Sequence, residues 1–130
     1  MNSAIEFHNS EVGAISREGG DVIVCFTSAY IHKSEGKPGY DAGTGWVQPA
    51  ELIIGGGSVE GIYPDFPCWV ADGALEWGDM VLDNLLPLPF ECAGKVKVEL
   101  MFTLDSTVTI SGERAVLNLI GEATYVEDVR

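Results

Sequence analysis

Positive charge is what this chain has least of. Seven Lys and Arg stand against twenty Asp and Glu, a formal net charge of −13 over 130 residues. A protein that grips nucleic acid needs a basic stripe to release the counterions of the phosphates. Here Arg17, Lys33, Lys37, Lys95, Lys97, Arg114 and Arg130 are scattered along the chain. Nucleic acid is therefore not an expected partner, and an anionic membrane surface would repel the chain as well. Long apolar runs are also missing. No stretch approaches the roughly 20 residues that span a bilayer. The opening Met-Asn-Ser-Ala-Ile-Glu-Phe-His has neither the basic nor the apolar region of a secretory signal. A cytoplasmic protein is the expectation.

Cysteine and histidine are scarce. Cys25, Cys68 and Cys92 are odd in number and have no paired spacing, which suits reduced thiols rather than a disulfide framework. Cys25 falls mid-strand and is expected to be an inert core residue, whereas Cys68, between Pro67 and Trp69 in a loop, is the better candidate for a reactive thiol. His8 and His32 are the two histidines. Neither H-E-x-x-H nor C-x-x-C occurs, so no metal and no cofactor are expected. The G-x-S-x-G elbow of serine hydrolases is missing, and the glycine-rich segments lack the order of a phosphate-binding loop.

What is present is β-strand pattern. Val96, Val98, Leu100, Phe102 and Leu104 alternate with Lys95, Lys97, Glu99, Met101 and Thr103, the period of a strand with one wet face. Asp105-Ser106 reads as a turn, Val108 and Ile110 as core positions, and Gly112-Glu113 as a second turn leading into a strand over Ala115 to Val126. Gly121 within that strand suggests a bulge or the close approach of another strand. Ile5 and Phe7 alternate with Glu6 and His8, and His8-Asn9-Ser10-Glu11 offers a turn capped by its own side chains. Val12–Ser16 and Asp21–Ile31 then flank the turn Arg17-Glu18-Gly19-Gly20. Trp46–Ile54 is a further strand in which Pro49 demands an edge or a bulge. A Gly78-Asp79 hairpin is preferred to a helix, because glycine weakens so short a helix.

These signals predict a single β domain over residues 1–130, an antiparallel β-sandwich or flattened β-barrel of about eight strands with two long loops. The first loop, Lys33 to Trp46, holds four glycines, two of the seven cations and two aromatics. Lys33, Lys37, Tyr40, Asp41 and Trp46 are the candidate binding residues, since glycine-rich loops let a ligand approach the backbone closely. The competing expectation is a plain crossing between two sheets. The second loop, Gly55 to Trp69, carries Tyr63, Phe66 and Trp69, which more often cover the end of a core than recognise a ligand.

With no catalytic signature, the leading functional expectation is a small acidic interaction protein, not an enzyme, that binds a basic protein partner. The alternative is a small-molecule-binding or metal-dependent barrel protein with a site near His8 and His32, which both close strands. A third reading is a homo-oligomer that pairs its sheet edges.

Overall fold

The computed structural model describes Met1–Arg130 and contains ten β-strands and no helix. The strands are β1 (Asn2–Glu18), β2 (Asp21–Ser34), β3 (Gly43–Gly55), β4 (Ser58–Gly61), β5 (Cys68–Trp77), β6 (Met80–Asp83), β7 (Leu85–Pro87), β8 (Glu91–Phe102), β9 (Thr107–Leu119) and β10 (Thr124–Val129). Six of them close an antiparallel barrel in the order β1-β2-β3-β9-β8-β5, with β5 returning to β1. The four short strands attach outside it, β4 to β9, β6 to β5, β7 to β1 and β10 to β3. No helix is therefore long and apolar enough to cross a membrane.

Alternation explains the wall. Val96, Val98, Leu100 and Phe102 point inward from β8 and Val108 and Ile110 from β9, all buried in one cluster of 25 apolar residues that fills the barrel. Leu104 departs from the expected pattern: β8 ends at Phe102, Asp105 adopts φ 59° in the turn that follows, and Leu104 is exposed. The expected turn at Gly112-Glu113 is also absent. There β9 runs straight through, and a side chain on Gly112 would meet Ile54 Cγ2 at 2.5 Å and the Gly55 carbonyl oxygen at 2.6 Å. Its glycine serves close strand approach. Gly121 does the reverse of what was expected. With φ 69° and nothing within 4 Å of a Cβ, it turns the chain between β9 and β10. The Gly78-Asp79 hairpin is present, joining β5 to β6, with Gly78 at φ 59°. Pro49 stands where the β2–β3 register shifts between Phe26 and Ala29.

Two irregularities position the candidate site. The first is in β1, where Glu6 pairs with Tyr30 but the next register partner of β2 is Glu11 with Ser28. The surplus residues form a wide bulge. Ser10 ties it together, donating its hydroxyl to the Glu6 carbonyl at 2.7 Å and accepting the Tyr30 N–H at 2.9 Å. The expected local capping at His8–Glu11 thus serves a bulge rather than a turn.

The second is the β1–β5 seam, which pairs only at Glu11 with Trp69 and Val12 with Cys68. Beyond it, Asn84 and β7 fill the opening. Asn84 sits at φ 63°, its carbonyl accepts the Phe7 N–H at 2.8 Å, and its own N–H reaches the Gly73 carbonyl at 2.7 Å. Asparagine is among the few residues other than glycine that visit this left-handed conformation. β7 then pairs Leu85 with Glu6, Leu86 with Ile5 and Pro87 with Ala4.

Candidate functional site

The segment Lys33–Trp46 is a hairpin connection between neighbouring strands, not the crossing between sheets that was one expectation. β2 and β3 extend further than the apolar pattern indicates, so Lys33 pairs with Thr44 and the loop proper is 35–42. The extension depends on two glycines. A Cβ at Gly45 would lie 2.1 Å from the Tyr30 hydroxyl, and one at Gly43 would lie 1.9 Å from the Lys33 carbonyl oxygen and 3.0 Å from His32 Nε2. The rings of β2 lie directly on a bare β3 backbone.

The loop is braced from within. Asp41 Oδ2 accepts the Lys37 N–H at 2.6 Å, and the Lys37 carbonyl accepts the Asp41 and Tyr40 N–H groups at 2.9 and 3.1 Å. Ser34 bridges its ends through Ala42 at 2.7 Å and Gly36 at 3.0 Å. Gly39, at φ 89°, presses on the Leu85 side chain, which a Cβ would meet at 2.5 Å. Asp41 therefore shapes the loop.

Between the loop and the β6–β7 segment lies a cleft of about 560 Å³, within the usual size range of ligand sites. Lys37, Pro38 and Tyr40 form one side, Val81, Leu82, Asp83 and Leu85 the other, and Met1 to Ala4 the end. Lys37 Nζ lies 4.3 Å from the Tyr40 ring centroid. Tyr40 and Val81 are exposed at 70% and 60%, large apolar groups that water covers. Of the residues expected to bind, Lys37 and Tyr40 line this cleft. Lys33 and Trp46 do not: Lys33 Nζ sits 4.4 Å over the Trp46 ring, which meets Tyr125 edge-on at 5.5 Å.

No protein-family model, curated protein or solved structure matches this chain.

Behind the loop, on the outer wall of the barrel, the two histidines meet across Glu6. Glu6 Oε1 is 3.6 Å from His8 Nε2, and Oε2 is 4.0 Å from His32 Nδ1. His8 is anchored to the seam: Asn84 Oδ1 accepts its backbone N–H at 2.8 Å, and the Asn84 amide nitrogen is 2.5 Å from its Nδ1. His32 is buried, and its Nδ1 accepts the N–H of Gly39. Its Nε2 has no partner, and a buried donor left unpaired costs about 1–3 kcal/mol. No group of three or more His, Cys, Asp or Glu side chains is arranged to hold a metal ion. Nor do the histidines line a barrel mouth, since Ile5, Phe7, Ala29 and Ile31 occupy the interior beside them.

Tyr30 completes this polar layer, donating its hydroxyl to Glu127 Oε1 of β10 at 2.8 Å. Burial, the Glu127 hydrogen bond and the charges of Glu127 and Glu6 push its phenol well above the ordinary tyrosine range. The fold favours the protonated phenol, so this contribution is complete below the usual tyrosine value of about 10 and is lost as pH rises above it. Unfolding free energy measured between about pH 9 and about pH 12 is expected to fall more steeply for the native chain than for Tyr30→Phe. Equal slopes would contradict the assignment.

Two of the cysteines depart from the burial expected of them. Cys25 alternates with the inward Val24 and Phe26 and is partly exposed, whereas Cys68 is buried, its thiol 3.8 Å from the Thr103 hydroxyl. Burial also pushes the Cys92 thiol up, against a smaller opposing effect of a backbone hydrogen bond at Ala115. Of the three aromatics expected to cover the end of the core, only Phe66 packs on it, edge-on to Phe102 at 5.9 Å, whereas Tyr63 and Trp69 are exposed. Sequence reasoning missed Glu6, Tyr30, Asn84 and the β6–β7 wall. Only Asn84 carried a readable signal, an asparagine directly after a short strand.

Proposed function

We propose that this chain is a non-catalytic docking domain that holds a basic segment of a protein partner, with an apolar side chain of that segment seated in the cleft between loop 35–42 and β6–β7. The observation that carries this reading is the position of Asp83. It lines the cleft and also begins a row of exposed carboxylates across the outer face of the sheet. The register runs Asp83, Ala74, Glu99, Thr109, Glu60 over β6, β5, β8, β9 and β4. With strands about 4.8 Å apart, each acid stands roughly 10 Å from the next in the row. None of them has a Lys or Arg partner, for among the ion pairs only Glu76, Asp21 and Asp128 engage such cations.

An unneutralised row of this kind attracts cations and speeds their encounter, and an adjoining apolar cleft supplies the burial that holds them. The imidazoles support the same reading, since both are committed to positions around Glu6 and to backbone contacts that shape the loop and the seam.

A fluorescent peptide of alternating Lys and Leu tests this by anisotropy. Its affinity is expected to fall about tenfold or more between about 0.05 M and about 0.5 M salt. Combining Asp83→Asn, Glu99→Gln and Glu60→Gln should weaken it about threefold or more at low salt. A peptide with Glu in place of Lys should not bind. Binding that is indifferent to salt and to these three substitutions overturns the proposal.

A further inference from the structure

We propose that loop 35–42 is a proton-operated latch, closed by neutral His32 and released when His32 is protonated. The docking reading enters only in what release does to the cleft; the movement of the loop stands on its own geometry. An imidazole nitrogen accepts a hydrogen bond only while it carries no proton. Because His32 Nδ1 accepts the Gly39 N–H, the closed loop requires a neutral ring with its proton on Nε2, the nitrogen that is buried without a partner. Protonation adds a hydrogen to Nδ1. Two donors, Nδ1–H and Gly39 N–H, then face each other and the contact is lost.

A second acceptor stands ready. Glu6 Oε2 lies 4.0 Å from the same Nδ1, so the protonated ring gains a carboxylate as it loses the loop. Each state thus has its own partner, which is the requirement for a two-state element. The charged and titratable groups around the ring are few. β1 contributes Glu6 and, through it, His8 at 3.6 Å. From β10 comes Glu127, already holding the Tyr30 hydroxyl. β3 presents only Gly43 and Gly45, and the loop's Asp41 is bound to the Lys37 N–H. Lys33, next in β2, is turned onto Trp46.

Gly39 links the latch to the cleft. It presses on Leu85, and its near neighbours Lys37 and Tyr40 form the wall opposite Val81 and Asp83. Releasing Gly39 removes that wall. A partner held in the cleft at neutral pH is discharged in acid.

Amide hydrogen exchange of the isolated chain, followed by NMR and corrected for intrinsic rates, tests the latch. Between about pH 8 and about pH 5, where imidazoles change charge, protection of the Gly39 amide is expected to fall about tenfold or more, while Val24 and Leu52 in the barrel keep theirs. The His32 ring, observed through its own resonances, should gain its proton together with the release of the loop. His32→Asn, whose amide oxygen can take the Gly39 N–H without titrating, should hold the loop closed at both pH values, and His8→Gln should leave the transition in place. Unchanged protection of Gly39, loss shared by the whole barrel, ring titration that does not coincide with loop release, or a transition that persists in His32→Asn overturns the proposal. No partner is present in this experiment, so a latch that operates in a chain that fails to dock would count against the docking reading alone.

Discussion

Replacing Phe7 with alanine is expected to lower the unfolding free energy by about 3–5 kcal/mol. Phe7 is fully buried at the least-paired part of the barrel, where β1 and β5 share only two register partners and Asn84 spans the opening. Its side chain occupies the space a residue other than glycine would take at position 73, with Phe7 Cβ and Cγ only 2.8 and 2.9 Å from where that Cβ would stand. Deleting the ring leaves a cavity walled by rigid strands. The neighbours cannot collapse into it without breaking the Asn84 bridge, and sites that cannot relax show the larger losses. Urea denaturation measures the effect. A loss below about 1 kcal/mol would mean that the seam is not part of the core.

The second large effect concerns the cleft. Val81→Asp combined with Tyr40→Ala is expected to weaken binding of the Lys-Leu peptide about tenfold or more, because an aromatic anchor is lost and a charge is placed on the apolar wall. Both side chains are exposed, so stability should change little. The added carboxylate makes this a demanding test, since charge attraction alone would strengthen binding. A second apolar surface provides the control. Ile62 and Leu104 are also exposed, at the rim of a separate hollow, and Ile62→Asp should leave affinity unweakened. Equal losses in the two variants would show that the peptide does not distinguish the cleft from other apolar surface.

The barrel wall was legible where one face meets water and the other does not. Along β8 the alternation of Val96 to Phe102 with Lys95 to Met101 marks both strand and facing, because burial on a single side imposes the period. Glycines were harder to read. Gly112 and Gly121 look alike in sequence, yet one permits close packing against Ile54 and the other supplies a positive φ. Only the neighbouring strand tells them apart. Strand limits failed for the same reason at Gly43 and Gly45, which look like loop glycines but form a backbone floor for Tyr30 and His32.

The candidate site was half visible. Loop composition drew attention to Lys37 and Tyr40, and an expected strand-end position to His8 and His32, although both lie within the longer strands β1 and β2. The other half comes from tertiary structure: Val81, Asp83 and Leu85 arrive on a distant hairpin, and Glu6 joins the histidines only because the β1 bulge and the β2 register place it between them. The acid row needed four strand pairings to assemble. No local pattern encodes it.

The docking claim is tested most directly by mapping backbone amide shifts of the isotopically labelled chain as the Lys-Leu peptide is added at low salt. The largest changes are expected to cluster at Lys37, Tyr40, Val81, Asp83 and Leu85 and to extend along Glu99 and Glu60. Changes centred on Ile62 and Leu104, or spread evenly over all exposed carboxylates with the cleft unaffected, would contradict it.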